Sequence, residues 1–175
     1  MAEDKINFFD NTVTLEARAN IHYSASNSNF VLGWHDFASG EHTTEANLYS
    51  EWSHDYLAKT KILQFIQPCI AKTDWFTNNV LNKAVVNLVK SDDVHHIHAH
   101  EGDQVALYYI NIDWQNSWYG ETLFYDSFNF NKIIYASPFV PGRILLFDGK
   151  IPHAIRPQSK AGPKFRMTLS LFYSK

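Results

Sequence analysis

At 175 residues, 45% of them hydrophobic and 15% aromatic, the chain is long enough for one domain with a full core. A charged fraction of 19% excludes a disordered tail, and a net charge of -3 with no block of like charges gives no reason to expect nucleic acid or an anionic membrane as partner. A single cysteine, Cys69, excludes an internal disulfide. No apolar run approaches the roughly 20 residues of a membrane span, and the polar start MAEDKINFF lacks a signal-peptide core, so a soluble, cytoplasmic protein is expected.

The first 45 residues read as short extended pieces, such as Thr12–Ala17 and Asn29–Trp34, joined by Asn- and Ser-rich turns. From Ala46 to Lys72 the pattern turns helical: Leu48, Trp52 and Tyr56 share a face at i, i+4 spacing, and Ile62, Phe65, Ile66 and Cys69 continue a stripe. Pro68 should kink or end that helix, and Cys69 should be a small buried side chain. A shorter helix is expected over Asp74–Leu81, with Thr73 as its N-cap. After Ala84 the texture changes to eight short runs: AVVNLV, HHIHA, VALYYINI, ETLFYD, KIIYAS, RILLFD, HAIRP and RMTLSLFY. Turn signals such as EGD, VPGR, FDGK and SKAGP separate them. Many short strands after a helical segment predict a mainly β fold, a double-stranded β-helix (jelly roll) of about eight strands with flanking helices from the N-terminal half. The chain divides into helical and extended support over 1–83 and a jelly-roll core over 84–175, within one domain.

Residues i and i+2 of a strand point to one side, so His98 and His100 can face a barrel interior together, and His153 can close a triangle of metal ligands. Three facial ligands leave positions open for substrate and oxygen; imidazole alone does not choose among iron, zinc, copper and nickel. A solvated histidine-rich turn is the bland alternative for this cluster. His95 and His96 are expected beside the site or exposed, and His22, His35, His42 and His54 carry no pattern. In RMTLSLFY, Arg166, Thr168 and Ser170 alternate with Met167, Leu169 and Leu171. An arginine turned into a barrel needs an anionic partner to offset desolvation, and a bidentate carboxylate suits it best. An internal acid could serve instead, and Arg156 in HAIRP is the competing arginine.

These blocks, VALYYINIDWQNSWYGETLFYD, PGRILLFDGKIPHAIRP and RMTLSLFY, resemble the iron(II)- and 2-oxoglutarate-dependent oxygenases of the prolyl 4-hydroxylase-like branch, over about half the chain. The resemblance maps a YYLN-type strand onto Tyr108-Tyr109-Ile110-Asn111 and a Gly-Gly-Glu turn onto Tyr119-Gly120-Glu121-Thr122. It implies metal ligation by His98, His100 and His153, and a 2-oxoglutarate carboxylate held by Arg166 and Tyr109. It implies Fe(II) as cofactor, 2-oxoglutarate and O2 as cosubstrates, release of succinate and CO2, and hydroxylation of a peptidyl (prolyl-like) or small-molecule substrate. The family's first motif is His-x-Asp or His-x-Glu, whereas this chain reads His98-Ala99-His100. Either three histidines bind the metal, the favoured reading, or Glu101 or Asp103 supplies the carboxylate. Segments 23–45 and 113–131 could shape a substrate channel through Trp34, Trp114, Trp118 and Tyr119, which could equally be packing residues. Two other classes compete: a cupin-type enzyme with three histidines and no 2-oxoglutarate, and a non-catalytic jelly-roll binding protein. Pairing of subunits through the first half is left open.

Overall fold

The computed structural model describes residues 3–34, 47–93 and 95–175. His35, His42 and the expected channel residues between 35 and 45 lie outside the described residues. Among the described residues ten strands form two antiparallel sheets, as expected of a jelly roll. They are β1 (Ile6–Phe9), β2 (Val31–Trp34), β3 (Asn47–Glu51), β4 (Val80–Val89), β5 (Gln104–Tyr109), β6 (Thr122–Asp126), β7 (Asn129–Ser137), β8 (Ile144–Asp148), β9 (His153–Ile155) and β10 (Arg166–Ser174). The larger sheet has the order β1-β8-β5-β10-β4-β3-β2, and the smaller β7-β6-β9. The described residues of the first half supply three helices, α1 (Leu15–Ser26), α2 (His54–Thr60) and α3 (Leu63–Ile70). None of the described helices is long and apolar enough to cross a membrane.

The period of two in the central strands sorts the core into two layers. Val86, Leu88, Ala106, Tyr108, Met167, Leu169 and Leu171 pack with Ile21, Leu57, Ile62 and Ile66 of the helices. Their alternates Val85, Val105, Leu107, Tyr109 and Phe172 pack with Phe124, Phe139 and Phe147 between the sheets. A strand buried on both faces has to read as a continuous apolar run, which is why VALYY and ILLF do.

Several local expectations fail for identifiable reasons. Thr12–Ala17 is not extended: Thr14 caps α1, its Oγ1 accepting from Ala17 N at 3.3 Å. That helix buries only Ile21 and Ala25, while Leu15 and Tyr23 face solvent, so it carries no apolar stripe to read. Leu48 belongs to β3, paired with Leu88 of β4, and not to a helix with Trp52 and Tyr56. The last two do meet, at 5.0 Å between ring centres, across the junction where Ser53 caps α2. Lys61, at φ 56°, separates α2 from α3, and Pro68 sits inside α3 two residues before its end. Cys69 is buried, as expected. No helix forms over Asp74–Leu81. Asn78 instead donates from its backbone to Gln104 Oε1 at 2.7 Å and from its side chain to Tyr173 O at 2.9 Å, pinning the segment to the sheet, and β4 begins at Val80. Of the eight runs after Ala84, HHIHA forms no strand, only an isolated bridge between His98 and His153.

One ion pair ties the residue after β1 to the turn that leads into β8. Arg143 donates from Nε and Nη2 to the two carboxylate oxygens of Asp10, at 2.7 and 2.8 Å. The Arg143 carbonyl accepts from Tyr109 N at 3.1 Å, so this clamp steadies the end of β5 that leads to the site. Asp10→Ala should lower stability by about 2 kcal/mol, because the mostly buried guanidinium loses two charge-assisted hydrogen bonds. Denaturant unfolding of the purified variant measures it.

Candidate metal centre

His98 and His153 are fixed to each other by two backbone hydrogen bonds, N to O, at 3.0 and 2.9 Å. His100 is placed by its own N–H, which donates to Gly149 O at 2.7 Å. Two residues apart, His98 and His100 thus face the same way without a full strand. Ligand atoms of His98, His100 and His153 lie within 4.8 Å of one another, with ring centres 4.5 to 5.2 Å apart. A carbonyl oxygen only accepts. The contacts His98 Nδ1 to His96 O (3.0 Å) and His153 Nδ1 to Ile151 O (2.8 Å) therefore put the proton on Nδ1 of both rings. Nε2 of each ring is then the nitrogen that would ligate a cation, the usual outer-sphere arrangement of ligating histidines. Phe147 and Phe172 pack edge-on against His153 and His100, at 4.8 and 4.9 Å.

Among the described residues no carboxylate joins this group. Glu101 is exposed in a turn, and the partly buried Asp103 heads the next strand. Gly149 explains why His100 sits where it does. A Cβ there would come within 2.6 Å of His100 O and 2.7 Å of Asp103 O, both rigid backbone atoms. Gly149→Ala should displace the His100 loop, lower stability by roughly 1–3 kcal/mol and weaken metal binding. Calorimetric metal titration alongside thermal unfolding checks both.

The histidines open on a cavity of about 60 Å³ that runs between the sheets to Arg166. Its wall includes Asn87, Thr168 and Ser170 on neighbouring strands, and Val105, Leu107 and Phe147. Arg166 is fully buried. Its Nε donates to Gly120 O at 2.9 Å and its Nη2 to Thr122 Oγ1 at 3.2 Å. Nη1 is buried with no hydrogen-bond partner. Burial pushes the guanidinium down to about 10, against the opposing pull of Tyr109 and Glu121, so it stays charged at neutral pH. Tyr109 is also fully buried, but it stands behind the cavity wall: its hydroxyl shares Thr122 Oγ1 at 2.9 Å, and its ring stacks on Phe139 at 4.5 Å. Gly120, at φ +84°, lets the chain pass under Trp114 and Arg166; a Cβ would lie 2.9 Å from Trp114 Cζ2.

Arg156 does not compete for the cavity. It is half-exposed, stacked 3.9 Å over the Tyr119 ring and paired with Glu121 at 3.6 Å. Trp114, Trp118 and Tyr119 do not line the cavity either; Trp114 packs on Trp118 and Phe139. His95 does line it, and His96 supplies the carbonyl that orients His98. Thr122 received no role from the sequence, although its place two residues before the buried Phe124 on β6 signals an inward side chain. Gly149 had no sequence signal beyond its turn.

No family model matches this sequence, and no curated protein matches it. Solved structures do match over 98% of the chain. A prolyl hydroxylase from Trichoplax adhaerens, solved with a hypoxia-inducible-factor peptide fragment, is 17% identical, with 84% of its chain covered and a TM-score of 0.69. A prolyl-4-hydroxylase from Pseudomonas putida is 13% identical, with 93% covered and a TM-score of 0.67. The non-heme alpha-ketoglutarate-dependent epimerase SnoN of nogalamycin biosynthesis is 12% identical, with 79% covered and a TM-score of 0.68. The fold is therefore the jelly roll of prolyl hydroxylases and other 2-oxoglutarate/iron(II) oxygenases.

Proposed function

We propose that the chain is a single-domain iron(II)- and 2-oxoglutarate-dependent dioxygenase that hydroxylates a peptidyl, prolyl-like residue or a small molecule. The observation that carries this reading is the unpartnered, buried Nη1 of Arg166, in one cavity with three imidazoles. A buried guanidinium with a spare donor, in a cavity with no Asp or Glu among its described lining residues, suits a carboxylate brought in from solution. The donor set also suits iron(II), since imidazole is one of its common ligands.

In this reading His98, His100 and His153 hold the metal through Nε2. Arg166 grips the far carboxylate of 2-oxoglutarate. Thr122 accepts from the guanidinium and shares a hydrogen bond with the Tyr109 hydroxyl, which holds Arg166 in place and leaves one hydroxyl proton of the pair beside it. Iron(II) and 2-oxoglutarate, when bound, supply the activation of O2, with succinate and CO2 as co-products. Val105, Leu107, Phe147 and Phe172 keep the cavity poor in water, which strengthens each charged contact inside it. The peptide held by the Trichoplax structure supports a peptidyl substrate, while the epimerase shows the same fold serving a different reaction. His100 in place of a carboxylate favours one rival, a cupin-type three-histidine enzyme without 2-oxoglutarate, but that reading leaves Arg166 without a purpose.

Anaerobic titration of the apo-protein with iron(II) and then 2-oxoglutarate tests the proposal. A visible metal-to-ligand charge-transfer band is the expected result. Tight iron binding with no band at saturating 2-oxoglutarate would transfer support to the cupin-type reading.

A further inference from the structure

Among the described residues of the cavity wall, every ionisable side chain is a histidine or an arginine. Of the acids nearby, Glu101 is exposed, Asp103 and Glu121 do not line the cavity, and Glu121, paired with Arg156 through one oxygen, offsets only part of the Arg166 charge. A divalent cation on three neutral imidazoles keeps both its charges, and Arg166 adds another in the same enclosed space. Like charges repel strongly where water is scarce. Metal alone is therefore a poor occupant, and so is a dianion alone, since it gives up its hydration for Arg166 only. Together they neutralise most of each other's charge.

We propose that His100 makes this an anion-dependent metal site: metal and a dianionic chelator load as a pair, where a carboxylate at position 100 would let the metal load alone. The inference rests on the function proposed above and specifies how that site fills. The coupling is reciprocal, so each partner raises the affinity of the other by the same factor.

The test is a calorimetric titration of the apo-protein with cobalt(II), alone and with saturating 2-oxoglutarate or oxalate, corrected for association of metal and chelator in water. The expected result is a metal dissociation constant lowered by roughly tenfold or more by either dianion. In His100→Asp, metal alone should bind more tightly than in the parent, and the dianions should add little. His100→Asn, neutral like the parent, should keep the coupling, which separates charge from altered geometry; circular dichroism confirms that both variants fold. Metal affinity indifferent to both dianions, or coupling undiminished in His100→Asp, would overturn the inference. Coupling with oxalate but no binding of 2-oxoglutarate would leave it standing and remove the oxygenase reading instead.

Discussion

Arg166→Ala will lose 2-oxoglutarate affinity by a hundredfold or more while metal uptake in the absence of 2-oxoglutarate is undiminished. The guanidinium has no contact with water and already spends Nε and Nη2 on Gly120 O and Thr122 Oγ1. Its spare Nη1 is the donor left for an incoming carboxylate. Truncating one partner of a buried, hydrogen-bonded charge pair costs about 2–5 kcal/mol, which corresponds to tens- to thousands-fold in affinity. Arg166→Lys should recover only part of this, because an ammonium cannot hold Gly120 and Thr122 and still present a fork to the ligand. The charge-transfer band and calorimetry with metal-loaded protein read the loss. A variant that binds 2-oxoglutarate like the parent would show that the carboxylate lies elsewhere.

His153→Ala should abolish specific metal binding at micromolar concentrations. It removes one of three ligands outright, and changes to outer-sphere partners already cost about 10–100-fold. The fold should survive, since the bonds joining His153 to His98 are made by the backbone. His95→Ala is the informative contrast. His95 lines the same cavity but is no member of the three-histidine group, so its loss should leave metal affinity within a few-fold of the parent. Equal losses in the two variants would mean that the metal is held by a diffuse histidine cluster.

The readable parts of this chain were those where one face decides everything. In RMTLSLFY the alternation of Arg166, Thr168 and Ser170 with Met167, Leu169 and Leu171 is the structure itself: one set meets the cavity, the other the helices. The histidine pair was readable because an x between two ligands turns them to one side even outside a regular strand. Elements held by partners far away in sequence were not. Nothing local announces that NLYSE pairs with β4, or that Asn78 is caught by Gln104 and Tyr173 instead of starting a helix turn. Helix α1 escaped because its exposed Leu15 and Tyr23 blur the stripe that only Ile21 and Ala25 obey. Tyr109 shows a limit of a different kind. Its position on β5 was legible, but its engagement with Thr122 depends on the other sheet.

Strand β10 lies between β5 and β4, in the middle of the larger sheet, although it is the last strand in chain order. β10 therefore joins two groups of strands, β1-β8-β5 and β4-β3-β2, that meet nowhere else in the sheet, and each group has an unpaired edge until the stretch from Arg166 to Ser174 docks between them. Sheet closure and delivery of the arginine are then one event, so the metal-binding histidines and the carboxylate-binding arginine share a cavity only once the sheet is complete. Such late, long-range pairing is slow.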